Sequence, residues 1–150
     1  QTPLILSKFL NRIKVIHQEN YGEAAAVNRG VRESDSEFSL VLSADDLCPE
    51  RELFSEAIKI FRADPNIQCV YPDWKIIDET GKVIHSITTQ EYSYTRMLVD
   101  FNCLPGPGSI FRTEIFRISS LSTIYSILFL TNISASFLKR HFGKFLIMIE

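Results

Sequence analysis

Residues 38–46 have the sequence Phe38-Ser39-Leu40-Val41-Leu42-Ser43-Ala44-Asp45-Asp46. The first five residues are nearly all apolar and have the length of a strand covered on both faces, as in a parallel sheet. Two adjacent carboxylates follow the end of this predicted strand. Because ligands of open α/β sheets bind outside the carboxyl ends of the strands, this segment predicts a fold class and a candidate site together.

Helices and strands alternate on both sides of this segment. Capping residues and apolar spacing predict helices over residues 3–11, 23–33 and 49–63. Runs rich in β-formers predict strands over residues 13–17, 38–43 and 68–72. Helices of crossover length separate these strands, so we expect them to be adjacent and parallel in an α/β domain. The turn Asp78-Glu79-Thr80-Gly81 then predicts a hairpin between residues 74–77 and 82–85.

The composition limits the class of protein. A chain of 150 residues with 45% hydrophobic and 23% charged residues has the balance of a soluble globular domain. Its formal charge of −2, with both signs mixed along the chain, gives no basic face for nucleic acid. Neither the cysteines nor the histidines have metal-ligand spacing, so we expect reduced, buried thiols of a cytosolic protein and structural or solvated imidazoles (Cys48, Cys69, Cys103; His17, His85, His141).

The two aspartates have two interpretations on these residues alone. Mg²⁺ is usually held by one or two carboxylates while substrate phosphates complete its shell, so Asp45 and Asp46 could bind a metal–diphosphate. Alternatively, one of them caps the helix that opens at Pro49, a common use of Asp before such a helix. Both interpretations stay open without further context.

Five motifs occur along the chain. In order they are Gln18-Glu19-Asn20-Tyr21-Gly22-Glu23-Ala24-Ala25-Ala26-Val27-Asn28-Arg29-Gly30, Ser43-Ala44-Asp45-Asp46, Val70-Tyr71-Pro72-Asp73, Ile77-Asp78-Glu79-Thr80-Gly81-Lys82 and Leu104-Pro105-Gly106-Pro107-Gly108-Ser109-Ile110-Phe111-Arg112. Together they resemble the inverting family 2 glycosyltransferases. The resemblance covers about residues 3–117. It implies a GT-A (Rossmann-like) fold, a three-layer α/β domain with a mainly parallel sheet, here incomplete.

The same resemblance implies the chemistry of the donor side. Asp45 is expected to be the direct ligand of Mn²⁺ or Mg²⁺, and Asp46 to assist it as a second metal-site residue. Donor-binding positions are Asn28, Ser43, Ala44 and Asp45. Many members carry an acidic residue where this chain has Ser43, which is a departure from the common motif.

The acceptor side is implied at Asp73, Gly106 and Gly108. The alternative for the Pro/Gly loop that contains these glycines is a plain surface connection, because most such clusters are turns. The expected partners are a nucleotide-sugar donor and an acceptor hydroxyl of a glycan, a lipid-linked molecule or a protein, and no nucleic acid. The expected activity is inverting, hexosyltransferase-type transfer by a cytoplasmic protein, at the cytoplasmic face of a membrane if the parent protein associates with one.

The last part of the sequence does not match the rest. We divide the chain into a partial catalytic domain, residues 1–117, and an apolar tail, residues 118–150, which has no acidic residue before Glu150. A catalytic base is expected beyond residue 117, yet no Asp follows Asp100. The resulting hypothesis is an inactive remnant, truncated at its front and frameshifted after about residue 117.

The tail is expected to pack poorly or to form helices that lie against the domain or away from it. Its apolar run over residues 124–138 is shorter than the roughly 20 residues of a membrane span. Two other classes stay open as alternatives: a non-catalytic interaction or membrane-associated fragment, and a phosphoacceptor signalling domain, which also gathers aspartates at the carboxyl edge of a sheet.

Overall fold

The computed structural model describes residues 2–42, 46–47, 52–93, 95–96, 99, 107–118 and 138–148, and of residues 2, 3, 118 and 138–148 it describes the backbone alone. The helices with described bounds are α1 (Thr2–Leu6), α2 (Glu23–Arg32), α3 (Glu52–Ala63) and α4 (Thr113–Ile118), and a 3₁₀ turn (Ser7–Phe9) follows α1. The strands are β1 (Phe38–Leu40), β2 (Asp46–Leu47), β3 (Cys69–Ile77), β4 (Val83–Ile87), β5 (Ile110–Arg112) and β6 (Leu138–Met148). Within these ranges, no helix is long and apolar enough to cross a bilayer.

The strands form one mixed six-stranded sheet in the order β1-β5-β3-β6-β2, and β4 also pairs with β3. Strand β6 runs parallel to β3 along all of Cys69–Ile77. One edge of β3 is therefore taken by β6, and β5 and β4 share the other edge. On that edge β5 pairs with Cys69–Val70 and β4 with Trp74–Ile77, both antiparallel.

The α/β class is confirmed, but the expected set of three adjacent parallel strands is wrong. The sheet is not mainly parallel either, because among the described pairings only that of β3 with β6 is parallel. Strand β5 is antiparallel to both β1 and β3. It follows that β1 and β3 run in the same direction with β5 between them. Residues 13–17 are not a strand. They have β-forming side chains, but within the described ranges no strand lies beside them, and an extended segment needs a ladder partner to be stable.

Part of the tail does not have the secondary structure that was expected from the sequence. Residues 138–148 are a strand rather than a helix, and this strand pairs with the longest strand of the sheet. The register shifts between Pro72 and Asp73, where Phe142 and Gly143 are skipped. Proline has no N–H to give to a ladder, so a bulge at this point is the ordinary solution. Residues 119–137 lie outside the described residues, and the boundary at residue 117 stays a prediction.

The main core lies between α3 and the sheet. Helix α3 buries Leu53, Ala57 and Phe61, which are spaced four residues apart and so share one face. These residues pack with Ile67, Val70 and Ile110 of the β3 and β5 region. The predicted apolar face of this helix is confirmed in its spacing, except that Phe54 is exposed.

Arg112, at the end of β5, joins this core to the neighbouring elements. Its guanidinium donates to the Phe61 carbonyl at 2.7 Å, to the Ile67 carbonyl at 2.9 Å and to Glu37 Oε1 at 3.2 Å. Its carbon Cζ lies 5.1 Å from the ring centre of Phe61 and 5.6 Å from that of Phe38. These two rings stack with their centres 4.7 Å apart. One side chain therefore fixes the end of α3, the start of β3 and the start of β1 relative to β5.

The predicted hairpin is confirmed. Strands β3 and β4 pair antiparallel, with Ile77 opposite Val83. At the turn, Asp78 Oδ1 accepts hydrogen bonds from Thr80 Oγ1 at 2.6 Å, from Thr80 N at 2.9 Å and from Lys82 N at 3.0 Å. Gly81 has φ +83°, a conformation that glycine adopts at no steric cost. These bonds, that of the Thr80 hydroxyl above all, lower the pKa of Asp78.

Candidate functional site

The predicted metal pair follows β1 and is only partly described. Strand β1 is half-buried and ends at Leu40, and Val41 and Leu42 follow it outside the sheet. Ser43, Ala44 and Asp45 lie outside the described residues, whereas Asp46 is half-buried in β2. Asp46 pairs with Ile147 of β6, and Ile147 pairs with Ile76 near the end of β3. Asp46 therefore lies toward the end of the sheet at which β3 finishes.

A groove lies beside β1, on the side of α2. Its volume is about 480 Å³, and its walls are the helix positions Ala26, Val27, Gly30 and Val31, the hydroxyls of Ser34 and Ser36, and residues 38–42. The groove leads to Leu42, directly before the predicted donor residues. Small side chains on α2 leave it open, and a Cβ at Gly30 would meet nothing within 4 Å.

Asn28, the predicted donor residue on α2, is half-buried and does not line this groove. The helix that carries it is well fixed at both ends. At its start, Gly22 N donates to Asn20 Oδ1 at 3.0 Å. On its last turns, Arg29 donates to the His17 carbonyl at 2.9 Å and to Glu33 Oε1 at 3.0 Å. The structure therefore holds Asn28 in place, and its contact with a donor stays a prediction.

Two cationic side chains form salt bridges with Glu33 just after the end of α2. Arg29 Nε lies 3.0 Å from Oε1, and Lys14 Nζ lies 3.2 Å from Oε2. Lys14 also donates to the Glu33 carbonyl at 2.9 Å. The hydrogen bond from Arg29 first, and then that from Lys14, lower the pKa of Glu33. This cluster attaches the extended residues 13–17 to the helix.

Asp73 lies in β3 and binds the segment that follows β4. Its Oδ1 accepts from Thr89 N at 2.9 Å and from Thr89 Oγ1 at 2.8 Å. Next to it, the hydroxyl of the buried Tyr71 donates to the Gln90 carbonyl at 2.9 Å. The family resemblance implied an acceptor-side role for Asp73. In the structure its carboxylate binds Thr89, which follows β4 and lies alongside β3, so Asp73 is an anchor for the chain that runs on toward the Pro/Gly loop.

Gly108 ends that loop, and Gly106 lies outside the described residues. Gly108 is buried with φ +79°, so the backbone enters β5 through a left-handed residue that a larger side chain would strain. Ser109 after it is also buried. The described part of the predicted acceptor loop is thus a buried turn into the sheet, and contact of this loop with an acceptor stays a prediction.

Sequence reasoning missed the roles of Thr89 and Arg112. Thr89 is buried, yet it stands in Ile87-Thr88-Thr89-Gln90, a short polar run that carries no motif. Arg112 is part of the last motif of the resemblance, and that position was the available signal. Its partners are 45 and 51 residues away along the chain, so no local pattern could have named them.

The described residues show no preformed metal cluster: among them, no group of three or more His, Cys, Asp and Glu side chains lies together. His17 and His85 are exposed, as expected. Cys69 is fully buried, and burial raises the pKa of its thiol well above the ordinary value. It is an unreactive core thiol, whereas Cys48 and Cys103 lie outside the described residues.

These features define an α/β protein whose acidic pair follows a strand of a mixed sheet, with a groove between that strand and the preceding helix. Comparison with known proteins narrows the class. The sequence matches the family described as glycosyl transferase family 2 over residues 1–124, and the chain belongs to that family. The match extends past residue 117, the expected end of the catalytic part.

A relative with a described name supports the assignment. An uncharacterized glycosyltransferase of Rickettsia bellii (strain RML369-C) is 32% identical over 82 residues. The aligned part is 55% of this chain and 12% of that protein. The chain therefore corresponds to a small portion of the relative that it matches.

Proposed function

We propose that this chain is the donor-side part of a glycosyltransferase that moves a sugar from a nucleotide-sugar donor to a hydroxyl acceptor with inversion. The match to glycosyl transferase family 2 over residues 1–124 is the observation that carries the proposal. The groove beside β1 is lined as far as Leu42, which precedes Ser43 in the chain. Asp46 lies in β2, at the other end of the strand order from β1. The parent fold is proposed to be GT-A, and the donor sugar a hexose.

A divalent cation suits the acidic pair only as part of a complex with substrate. Asp46 supplies a half-buried carboxylate, and among the described residues no group of three or more His, Cys, Asp and Glu side chains lies together. Hard cations such as Mg²⁺ or Mn²⁺ are often held by one or two carboxylates while diphosphate oxygens fill the remaining positions. Asp45 and Asp46 would hold such an ion, which would act as a Lewis acid on the leaving nucleoside diphosphate.

The residues of the chain would then orient the two substrates. Ser43 and Ala44 would border the donor beside Asp45, and Asn28 would contact it from α2. On the acceptor side, Asp73 would act by holding residues 89–90, and Gly106 and Gly108 by shaping the loop before β5. No residue of this chain is assigned as the catalytic base, so we expect little or no transfer by residues 1–150 alone.

Nucleotide binding tests the acidic pair without requiring activity. We expect the chain to bind a nucleoside diphosphate in the presence of Mn²⁺ and much less in its absence, measured by titration calorimetry over the common nucleotides. Asp45→Asn should weaken this binding at least tenfold, because it removes one charge with little change of shape, and Asp46→Asn should weaken it less.

Asp64→Asn is the matched control for that experiment. Asp64 follows α3 and accepts from Asn66 N at 2.9 Å, a role that an amide oxygen can keep. The proposal fails if Asp45→Asn binds Mn²⁺ and nucleotide like the unchanged chain. If the chain binds no nucleotide at all while circular dichroism shows it folded, the donor-side assignment is wrong.

We further propose that the protein is cytoplasmic, because its cysteines have no arrangement suited to a disulfide framework and Cys69 is buried as a thiol. Cells quenched in acid and then alkylated under denaturing conditions should yield a chain modified at Cys48, Cys69 and Cys103. A chain that lacks label at two of these residues until it is reduced would indicate a disulfide and an oxidising compartment.

A further inference from the structure

The first residues of the chain present a row of apolar side chains to solvent. Leu4 is 74% exposed and Leu10 60%, and Ile5, Phe9 and Ile13 are exposed as well. They lie on α1, the 3₁₀ turn and the turn that follows, where Arg12 N and Ile13 N both donate to the Phe9 carbonyl at 2.7 and 2.9 Å. So many large apolar residues in ten positions form a patch, which in a soluble protein marks an interaction site.

Basic residues are interleaved with this patch. Lys8, Arg12 and Lys14 lie within it, and no acidic residue occurs before Glu19. Lys14 is held to Glu33, which offsets its charge, whereas Lys8 and Arg12 are exposed. The segment is thus positive within a chain whose formal charge is −2.

The mixture of charges and apolar groups selects the kind of partner. A second copy of the chain would bring like charges together, and an apolar protein groove would leave Lys8 and Arg12 desolvated. An anionic bilayer accommodates both groups, because apolar side chains enter the headgroup–acyl boundary while lysine and arginine reach the lipid phosphates. We propose that residues 4–14, the basic–apolar segment, dock this protein onto an anionic lipid surface without spanning it.

The contacts of this segment with α2 connect the proposed docking to the groove beside β1. Lys14 binds the end of α2 at Glu33, and Arg29 of α2 binds the His17 carbonyl. Helix α2 forms one wall of the groove beside β1. A bilayer bound to residues 4–14 would therefore hold that groove at the membrane surface, whether or not the proposed transfer reaction is correct.

Vesicle sedimentation tests the proposal with the whole chain. We expect the chain to sediment with vesicles in which about a third of the lipid is phosphatidylglycerol, and only weakly with phosphatidylcholine alone. Lys8→Gln with Arg12→Gln should lower the partition coefficient about 25-fold, since each surface cation contributes about fivefold. Leu10→Ser should lower binding to both kinds of vesicle.

The double variant Lys59→Gln with Lys82→Gln is the matched control, since it removes two charges away from the segment. Lys59 is exposed on α3, where it pairs with Glu56, and Lys82 is exposed in the hairpin turn. Circular dichroism would establish that each variant is folded. Equal binding to neutral and anionic vesicles, or an equal loss in the control, would overturn the proposal. So would lipid-independent dimerisation abolished by Leu10→Ser without any vesicle binding.

Discussion

At the scale of single residues, the guanidinium of Arg112 joins several elements of the described part of the chain. It is 13% exposed and donates to two backbone carbonyls that no longer face water once the guanidinium covers them. Its third partner, Glu37, is 70% exposed, so that ion pair contributes little. The stabilising part of the interaction is therefore the pair of carbonyl bonds and the packing on the two stacked rings.

Arg112→Met should lower the free energy of unfolding by about 3 kcal/mol, because it leaves the Phe61 and Ile67 carbonyls without their donor. Arg112→Lys should recover only part of this loss, since an ammonium cannot reach both carbonyls as a planar fork does. Urea denaturation followed by circular dichroism measures both values. Glu37→Gln is the control, and a loss above about 1 kcal/mol there would show that the ion pair matters more than its exposure suggests.

At the scale of secondary structure, what could be predicted from the sequence was local. Helix α3 follows from the spacing of Leu53, Ala57 and Phe61, and the β3–β4 hairpin follows from a turn with Asp and Gly at its ends. The prediction of a strand over residues 13–17 is wrong because the strand preference of single side chains does not provide a neighbouring strand to pair with. The insertion of β5 between β1 and β3 also has no local signal, since it brings together residues about 70 positions apart.

The same division applies to the candidate site. The carboxylate pair Asp45-Asp46 after an apolar run is a local pattern, whereas the pairing of Asp46 with Ile147 in β2 has no local signal. The bond between Asp73 and Thr89 has no local signal either, since it depends on the pairing of β4 with β3, which brings Thr89 beside Asp73. The candidate metal-binding residues could therefore be predicted from the sequence, whereas the contacts that hold Asp73 and Thr89 together could be seen only in the fold.

The hairpin turn should make stability depend on pH. The folded-state pKa of Asp78 is lowered from its ordinary 3.8, so its hydrogen bonds stabilise the folded chain above that value. This contribution should be lost as the pH falls below 3.8 through the folded pKa. The effect is measured by urea unfolding of the unchanged chain and of Asp78→Asn, each at about pH 6 and at about pH 3. The pKa of Glu33 is lowered as well, so only the difference in pH dependence between the two proteins is due to Asp78. Equal pH dependence of their stability would exclude a contribution from Asp78.

At the scale of the whole molecule, β6 decides whether the tail belongs to the fold. The backbone pairs it with β3 from Cys69 to Ile77, although the sequence indicated a tail unrelated to the domain. Because of this pairing, amide exchange in residues 144–147 should be slowed to about the level of β3. Exchange at the rate of an unfolded chain, with β1 still protected, would show that the tail is not part of the domain.

Removing residues 118–150 provides the companion measurement. The shortened chain should unfold at lower urea concentration, because one edge of β3 loses its partner along its full length. A midpoint equal to that of the full chain would contradict the role given to β6. Since the family match reaches residue 124, a second truncation after that residue separates the matched segment from the strand itself.

The placement of β5 between β1 and β3 has a consequence for how the protein is made. During synthesis, residues 38–40 and 69–77 leave the ribosome well before residues 110–112, which must lie between them. Until then the two earlier strands cannot pair with each other in their final places, and their edges stay open to other nascent chains. The nascent chain therefore passes through an aggregation-prone interval that is shortened when Ile110–Arg112 is inserted and ends only when β6 covers the other edge of β3. A pause in translation before residue 110 would lengthen it.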